Sequence, residues 1–472
     1  MQESSLVAEN DRTVSVQGPA WAMGRMANAV RYENLPEAVQ GKAKVHVLDT
    51  LGLALASSAQ DFAAPSLAGI AAAAGRGDCR VLGTPHRMAA RDAAMANGLL
   101  MHGLDFDDTH MSSIIHASVA SLPTALSLGE YLDVSWRDML AAYVVGMEVA
   151  IRIGAAAKGG FHKVGFHATG IVSHFSSAVV AGKLLGLDEA QICTAQGIAA
   201  STASGVQVFL EEGAWTKRLH PGWGALAGIT AAYMARAGFH GPSRPYEGKF
   251  GLFETHLHGT DPSREPLTEG LGSTWRMLET AIKPYPICHF NHACAEAAAR
   301  LSPQVRGRWD EIDEIVAYLP EPTLHIVAEP AEKKQRVSTD YEAKFSVQYA
   351  VAASLVRGRF GMNELSRESL QDETLRRLAS RVTCRAEDET EFPRYFSGKV
   401  VIWLKGGGIL SEHVPINLGA GPRDMAWEQV ADKFLGNAGM RVDEKTALAL
   451  LETIRGADGK SVRAVLAELA VA

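Results

Sequence analysis

The segment Val47-Leu48-Asp49-Thr50-Leu51-Gly52-Leu53-Ala54-Leu55 decides the fold class of this chain. Its apolar residues recur at positions i, i+1, i+4, i+7 and i+8, which is the stripe of an α-helix that packs on a core. Pro36 precedes it at a position that suits the beginning of a helix. The pattern therefore predicts a core-facing helix.

Around this segment, Ala, Leu, Met and Gly dominate at helical spacing from about Pro19 to Gly238. Many of these residues are small, which lets helices approach one another closely. Two later helix starts carry side-chain caps at their first residues, namely Ser135 with Asp138 and Asp188 with Gln191. This part of the chain is predicted to be a helical domain.

The sequence pattern changes after about Gly241, where Pro and Gly residues interrupt the helical spacing of apolar residues. Strand-like segments follow at 314–319 and 381–385, and residues 400–404 and 409–414 form a predicted hairpin across three glycines. The helical pattern returns from about Met425. We predict a helical domain over 14–270, a smaller α+β lid domain over 271–415, and a C-terminal part, 416–472, that packs back on the helical domain.

Size and composition bound the class of protein. A chain of 472 residues exceeds what one core usually organises, and 47% apolar residues with a formal charge of -7 are ordinary for a globular protein that binds no nucleic acid. The five scattered cysteines include no C-x-x-C pair, so reduced thiols in the cytoplasm are expected.

The N-terminal residues Glu3, Glu9 and Asp11 fit no targeting signal. Residues 190–210 are uncharged but too polar to span a membrane, so we predict a buried helix there.

The densest polar cluster runs from Met101 to His110 and continues to His116, directly after an apolar helix pattern. Clusters on loops favour function. The alternative is that its aspartates cap the next helix. A metal site formed by His102, Asp105, Asp108 and His110 is also considered, because imidazole and carboxylate ligands lie at suitable spacing.

A second cluster joins Lys217, Arg218 and His220 to a glycine-rich helix that we predict to begin near Pro221. Cations beside a helix N-terminus attract anions, and the helix dipole disfavours them there unless an anion is bound. The alternative is an exposed Lys-Arg pair.

Two shorter segments are weaker signals by themselves. Gly165-Phe166-His167 places a histidine between glycines, although a lone histidine is more often structural. Lys283-Pro284-Tyr285-Pro286-Ile287-Cys288-His289 is equally typical of an extended linker into the second domain.

Taken in order, these segments resemble the MmgE/PrpD family, whose members include 2-methylcitrate dehydratases, cis-aconitate decarboxylases and an iminodisuccinate epimerase. The resemblance is carried by Leu48-Asp49-Thr50-Leu51-Gly52, Leu104-Asp105-Phe106-Asp107-Asp108-Thr109, Gly165-Phe166-His167, Thr216-Lys217-Arg218-Leu219-His220-Pro221-Gly222, Lys283-Pro284-Tyr285-Pro286 and Ala343-Lys344-Phe345-Ser346. It implies a helical domain built from both chain ends, an inserted α+β lid, a homodimer, and catalysis without a metal or organic cofactor. It also implies a site in the cleft between lid and helical body.

The family motifs place catalytic and binding positions on the following residues of this chain: Asp105, Thr109, His116, His167, Lys217 and Lys283. The resemblance then implies a lyase that takes a proton from a small polycarboxylate, most simply a dehydratase. We expect His116 and Lys217 to handle protons, and Asp105 to orient a neighbouring cation. Carboxylates would be held by Lys283, His167 and His220, with Thr109 and Tyr285 beside them.

Departures from the subfamilies leave the reaction open. Cys288 stands where the decarboxylase branch has a histidine, and an active-site tyrosine of that branch maps near Leu324 or His325. The dehydratases usually have a Gly-His-Pro segment where this chain has Ile115-His116-Ala117. An epimerase, a decarboxylase, a metal-dependent hydrolase and a non-catalytic binding protein therefore remain as alternatives.

Overall fold

The computed structural model describes residues 18–470, and in this range the chain is mainly α-helical, which confirms the predicted fold class. The helices of the first half are α1 (Pro19–Ala29), α2 (Glu37–Ser58), α3 (Ala63–Ala73), α4 (Ala90–His102), α5 (Leu122–Leu132), α6 (Trp136–Ala157), α7 (Gly160–Lys163), α8 (Ala168–Leu184), α9 (Glu189–Ala200), α10 (Phe209–Glu212), α11 (Thr216–Arg236) and α12 (Leu252–His256). Those of the second half are α13 (His292–Val305), α14 (Leu324–Val327), α15 (Ala331–Gln335), α16 (Asp340–Lys344), α17 (Val347–Arg357), α18 (Arg367–Gln371), α19 (Glu373–Ala379), α20 (Trp427–Ala438), α21 (Glu444–Arg455) and α22 (Val462–Glu468).

Helix α2 contains the segment that opened the sequence analysis. It begins directly after Pro36, and its residues from His46 to Ser57 are all buried. α20 lies against it so closely that a Cβ at Gly52 would come within 2.9 Å of the Phe434 ring. The C-terminal helices therefore share one hydrophobic core with α1 to α9.

The predicted caps are confirmed. The Ser135 hydroxyl accepts from the Asp138 amide at 3.0 Å, and Asp188 with Gln191 forms a capping box at the beginning of α9. α6 is long and apolar enough to cross a membrane by length and composition, but it is packed in the protein interior. Among the described residues it is a core helix.

Two helix predictions need correction. The predicted helix over 190–210 ends at Ala200, because the chain turns away through Gly205 at φ 141°, and Val206 and Val208 are exposed. Helix α11 begins at Thr216, five residues before the predicted start. Pro221 therefore lies inside it, where the missing N–H removes one helical hydrogen bond.

Helix α11 packs very closely against α4 directly after this proline. Pro221 is followed by Gly222, and a Cβ at Gly222 would overlap the carbonyl oxygen of Met95 on α4. Only glycine allows the two helices to approach this closely. Their contact holds Lys217 and Arg218 of α11 beside the end of α4.

The described strands form three small sheets. β1 (Cys79–Arg80) pairs with β2 (Arg87–Met88), and β3 (Thr109–His110) pairs with β4 (Thr280–Ala281), both antiparallel. β5 (Ile312–Leu319), β6 (Val382–Ala386), β7 (Gly398–Leu404) and β8 (Ile409–Val414) form the third, in the order β6-β5-β7-β8. The β7–β8 hairpin is the predicted one.

A second hydrophobic core lies between this four-stranded sheet and the helices α13 and α17. The β3–β4 pair joins the polar loop after α4 to the segment that enters this second core, because Thr109 is the partner of Ala281. The boundaries given for the lid domain remain a prediction.

Candidate functional site

The loop that follows α4, residues 103–108, is held by cations from four different parts of the chain. Asp105 adopts the left-handed conformation, with φ 53°, which is uncommon for a residue other than glycine. Four successive carbonyl oxygens of this loop accept hydrogen bonds from buried cationic side chains: Gly103 from Arg218 (2.7 Å), Leu104 from Lys344 (2.7 Å), Asp105 from Lys283 (2.7 Å) and Phe106 from Lys433 (3.0 Å). These bonds fix the unusual backbone.

The Asp105 carboxylate lies at the centre of the site. Its Oδ1 atom is 2.7 Å from Nζ of Lys217, 3.2 Å from Nζ of Lys283 and 3.7 Å from Nε2 of His116. Burial by itself raises the pKa of Asp105, but the two ammonium groups outweigh burial and hold the pKa well below its usual value. Asp105 is therefore ionised.

His116 presents an unprotonated nitrogen to the site. Its Nδ1 lies 2.9 Å from the carbonyl oxygen of Asp108, and because a carbonyl only accepts, Nδ1 carries the hydrogen. Burial, with Lys283 and Lys217 nearby, lowers the pKa of His116 to about 3 against the opposing effect of Asp107. The ring is neutral, and its Nε2 lone pair is free to accept a proton.

Hydrogen bonds from buried neighbouring residues fix the position of Asp108. Its carboxylate accepts from His46 Nδ1 at 2.6 Å and from the Ser118 amide at 3.1 Å, as well as from the Ser118 hydroxyl, which also contacts Tyr143. All four side chains are almost fully buried. This network holds the carbonyl that orients His116.

Three further histidines surround His116. The His102 Nδ1 atom donates to Asp107 at 2.8 Å, and the His102 ring stacks on His167 at 5.5 Å between centroids. The Nδ1 atoms of His167 and His220 are 3.0 Å apart, so one donates to the other. Burial lowers the pKa of His167 well below its usual value and that of His220 to about 4. His167 and His220 are therefore neutral near pH 7.

A small cavity of about 80 Å³ lies at this cluster. Asp105, His116, Lys217 and Lys283 line it. The remaining lining residues are Thr109, Ile114, His162, His167, Gln207, Phe209, Leu210, Cys288, His289, Phe290, Ile326, Phe345 and Phe396. The cavity adjoins a much larger cleft of about 1420 Å³, with which it shares several lining residues.

The structure brings most of the predicted site residues together. Asp105, Thr109, His116, His167, Lys217 and Lys283 all line the cavity. His220 lies behind His167 and reaches the cavity only through it. Tyr285 does not line the cavity and packs against His292 in an apolar cluster, where burial raises its pKa to about 12.

Sequence reasoning missed several lining residues. Cys288 and His289 lie within the segment that begins at Lys283. The sequence analysis named this segment as a candidate but did not predict these two residues as part of the site. Nothing in the local sequence distinguishes Phe209, Phe290 or Phe345 from core aromatics. Burial raises the pKa of the Cys288 thiol, so it lines the site as an uncharged group.

The four ligands of the metal hypothesis do not form one site. Asp108 is occupied by His46 and Ser118, and His110 pairs instead through β3 with β4. Among residues 18–470, the groups with metal-ligand spacing are His102 with His116 and His167, and Asp105 with Asp107 and His116. Neither group includes Asp108 or His110. The aspartates cap no helix either, since the next helix begins at Leu122.

Several known proteins are similar to this chain over most of its length. Cis-aconitate decarboxylase of Aspergillus terreus is 25% identical over 92% of this chain and 91% of its own length. The Homo sapiens cis-aconitate decarboxylase is 27% identical over 80% and 78% of the two chains, and the 2-methylcitrate dehydratase of Salmonella typhimurium is 23% identical over 75% of each.

Two family descriptions match nearly the whole chain. The MmgE/PrpD N-terminal domain matches residues 22–265, which include the loop after α4 and the beginning of α11. The MmgE/PrpD C-terminal domain matches residues 285–458, which include Lys344 and Lys433. With both parts matched in order, and with the family's site positions gathered around one cavity, this chain belongs to the MmgE/PrpD family.

Proposed function

We propose that this protein is a lyase that abstracts a proton next to a carboxylate of a small polycarboxylate and then eliminates water. The observation that carries the proposal is the position of His116: its Nδ1 is held by the Asp108 carbonyl, and its Nε2 lies 3.7 Å from Asp105 at a cavity that Lys217 and Lys283 also line. A base and cations at one cavity wall are what proton abstraction beside a carboxylate requires.

The first step removes the proton. A substrate carboxylate binds Lys283, and His116 Nε2 takes the proton from the adjacent carbon. The electron pair of that C–H bond moves toward the carboxylate, whose growing negative charge Lys283 stabilises. A well-placed donor of this kind contributes roughly 3 kcal/mol to transition-state stability.

The second step releases water. The electron pair forms a carbon–carbon double bond as the C–O bond to the neighbouring hydroxyl breaks. Lys217 Nζ donates a proton to the leaving oxygen, and water departs. Asp105 Oδ1, 2.7 Å from Lys217 Nζ, holds this side chain in place. The proton on His116 then returns to Lys217 and restores the resting state.

Decarboxylation is the second candidate, because several similar proteins are cis-aconitate decarboxylases. In that reaction the bond between a substrate carbon and a carboxylate breaks, rather than a C–H bond. Its electron pair stays on the carbon, and carbon dioxide leaves. A neutral His116 fits a base better than the acid that must then protonate carbon. Cys288 also lines the cavity at the position where the decarboxylase branch has a histidine.

The test is turnover followed by NMR in deuterated water. Hydroxy di- and tricarboxylates, cis-aconitate and iminodisuccinate are each incubated with the enzyme. Formation of the unsaturated acid from the hydroxy acid supports the proposal. Loss of carbon dioxide indicates the decarboxylase, and deuterium incorporation without loss of hydroxyl or amine indicates the epimerase. Either of these, without any dehydration, overturns it.

A further inference from the structure

We propose that His289 is a substrate-binding residue, and that its Nδ1–H group donates a hydrogen bond to a carboxylate of the substrate. The inference rests on the proposed function for the chemical class of the ligand. Three observations carry it: the tautomer of the His289 ring, an Nδ1 atom without a partner, and the place of the ring on the cavity wall.

The side chain of Asn417 holds the His289 ring in a defined orientation. Its Oδ1 lies 3.0 Å from the backbone nitrogen of Phe396, and its Nδ2 lies 2.8 Å from Nε2 of His289. A backbone N–H group only donates, so the amide oxygen is the atom that faces Phe396. The amide nitrogen of Asn417 therefore faces His289.

This contact fixes the tautomer of His289. An amide nitrogen only donates, so Nε2 of His289 accepts and carries no hydrogen. Burial lowers the pKa of His289 well below its usual value, and His292 and Lys283 lower it further. The ring is therefore neutral, and its one hydrogen lies on Nδ1.

The Nδ1–H group of His289 has no acceptor among residues 18–470, although the side chain is buried. The ring of His292 lies 4.5 Å away between centroids, but its Nδ1 is also unpaired, so the two rings share no hydrogen bond. A buried donor without a partner is unfavourable, and native structures contain few of them. A ligand that brings an acceptor to Nδ1 removes this cost.

His289 belongs to the wall of the small cavity. It lines this cavity together with His116, Lys217 and Lys283, but it does not line the larger cleft of about 1420 Å³ outside, which we call the outer cleft. An acceptor that reaches His289 therefore lies near two ammonium groups, which favour an anion. A hydrogen bond to a charged acceptor is also stronger than one to a neutral acceptor. A carboxylate satisfies both conditions.

A neutral donor suits this wall for a further reason. It adds a hydrogen bond to the substrate without placing another positive charge beside Lys283. It also takes up no proton, so Nε2 of His116 stays free to act as the base. The site thus gains a contact for a further carboxylate while its base remains unprotonated.

The experiment compares two variants of His289 in the full-length protein. Succinate and tricarballylate, which have no hydroxyl group to lose, are titrated by calorimetry. His289→Phe keeps an aromatic ring but removes the donor, whereas His289→Asn keeps a donor because its Nδ2 takes the place of Nδ1. Both variants deprive Asn417 of its acceptor, so they are matched in that structural loss.

We expect His289→Phe to weaken the tighter of the two ligands by about 10- to 100-fold, as for the loss of a hydrogen bond to a charged group. His289→Asn should retain most of the affinity of the parent. Three outcomes overturn the inference: equal weakening in both variants, unchanged affinity in His289→Phe, and no binding of either acid to the parent.

A crystal structure of the parent with the bound acid tests the same contact without any variant, should one fail to fold. A carboxylate oxygen about 3 Å from Nδ1 of His289 is expected. A bound acid whose carboxylates all lie away from Nδ1 contradicts the proposed role of His289.

The two proposals fail in different ways, because neither test acid can be dehydrated. If no hydroxy acid loses water by NMR but His289→Phe weakens binding and His289→Asn does not, the dehydratase proposal fails and the role of His289 stands. If a hydroxy acid loses water while His289→Phe binds both acids as tightly as the parent, the role of His289 fails and the dehydratase proposal stands.

Discussion

The Nζ atom of Lys344 lies 2.7 Å from the carbonyl oxygen of Leu104, although 240 residues separate the two. Lys344 belongs to α16, which packs against α17 and α18, whereas Leu104 lies in the loop after α4 and immediately precedes Asp105. Burial lowers the pKa of Lys344 to about 8. A lysine from the second half of the chain thus helps to hold the conformation of the loop after α4.

Lys344→Met should loosen this loop. The carbonyl of Leu104 loses its donor, and leaving a buried acceptor unpaired costs about 1–3 kcal/mol. We expect the free energy of unfolding to fall within that range in urea titrations. Turnover should fall as well, because the loop around Asp105 loses one of the four hydrogen bonds that hold its carbonyls. Lys405→Met, at an exposed turn, is the control; an equal loss in both variants would contradict the role of Lys344.

His116→Asn should remove the base. Asparagine can still donate toward the carbonyl of Asp108 but has no basic nitrogen, so we expect kcat to fall by roughly 10²–10⁴-fold. Steady-state kinetics with the hydroxy acid that the enzyme dehydrates measures this fall in kcat. His86→Asn, at an exposed position, should retain full activity. Retention of most activity in His116→Asn would assign the proton transfer to another residue.

Lys217→Met tests whether the cation that contacts Asp105 matters more for activity than a cation of the outer cleft. Asp105 loses its 2.7 Å partner, its pKa rises toward the ordinary value, and the leaving oxygen loses its proton donor. We expect kcat/KM to fall by about 10²–10³-fold. Lys163→Met, in the outer cleft, should change kcat/KM far less. Similar losses in the two variants would mean that long-range charge, rather than contact, explains Lys217.

Buried neutral histidines predict sensitivity to acid. Burial lowers the pKa of both His110 and His174 to about 4. The unfolded chain therefore binds these protons from about pH 6.5 downward, while the folded chain does not until about pH 4. Stability should fall across this window by about 1.4 kcal/mol per pH unit for each group. It is fully present above pH 6.5.

The measurement is the free energy of unfolding at pH 7.5, 6.0 and 5.0. The variant His174→Asn should show a shallower slope than the parent between pH 6.0 and 5.0, whatever its absolute stability. Asp105 does not interfere, because its lowered pKa affects stability only below about pH 4. Equal slopes in the two proteins would mean that His174 titrates normally.

Exhaustive chelation should leave activity unchanged. A hydrolase that used His102, Asp105, Asp108 and His110 would need all four to converge, but Asp108 and His102 are engaged by His46 and Asp107. Activity that is lost with chelator and restored by a divalent cation would reinstate a metal. The His102, His116 and His167 group would then be the site to examine.

The sequence by itself determined the local features of this protein. The helix stripe at Val47 to Leu55, the caps at Ser135 and Asp188, and the β7–β8 hairpin depend on neighbours within a few residues, and they were predicted correctly. The chemical character of the site was also evident. Cationic and acidic residues cluster in short segments of the sequence, and the family resemblance assigned these segments to one site.

Only the tertiary structure decided which of these residues meet. The beginning of α11 and the exclusion of Tyr285 both depend on packing between distant segments. The same holds for the loop carbonyls that Lys344 and Lys433 reach from later parts of the chain. Periodicity reports which face of an element is buried, but not what it is buried against. That partner is set by how the helices and the sheet pack, and this packing is what places a neutral His116 beside two lysines.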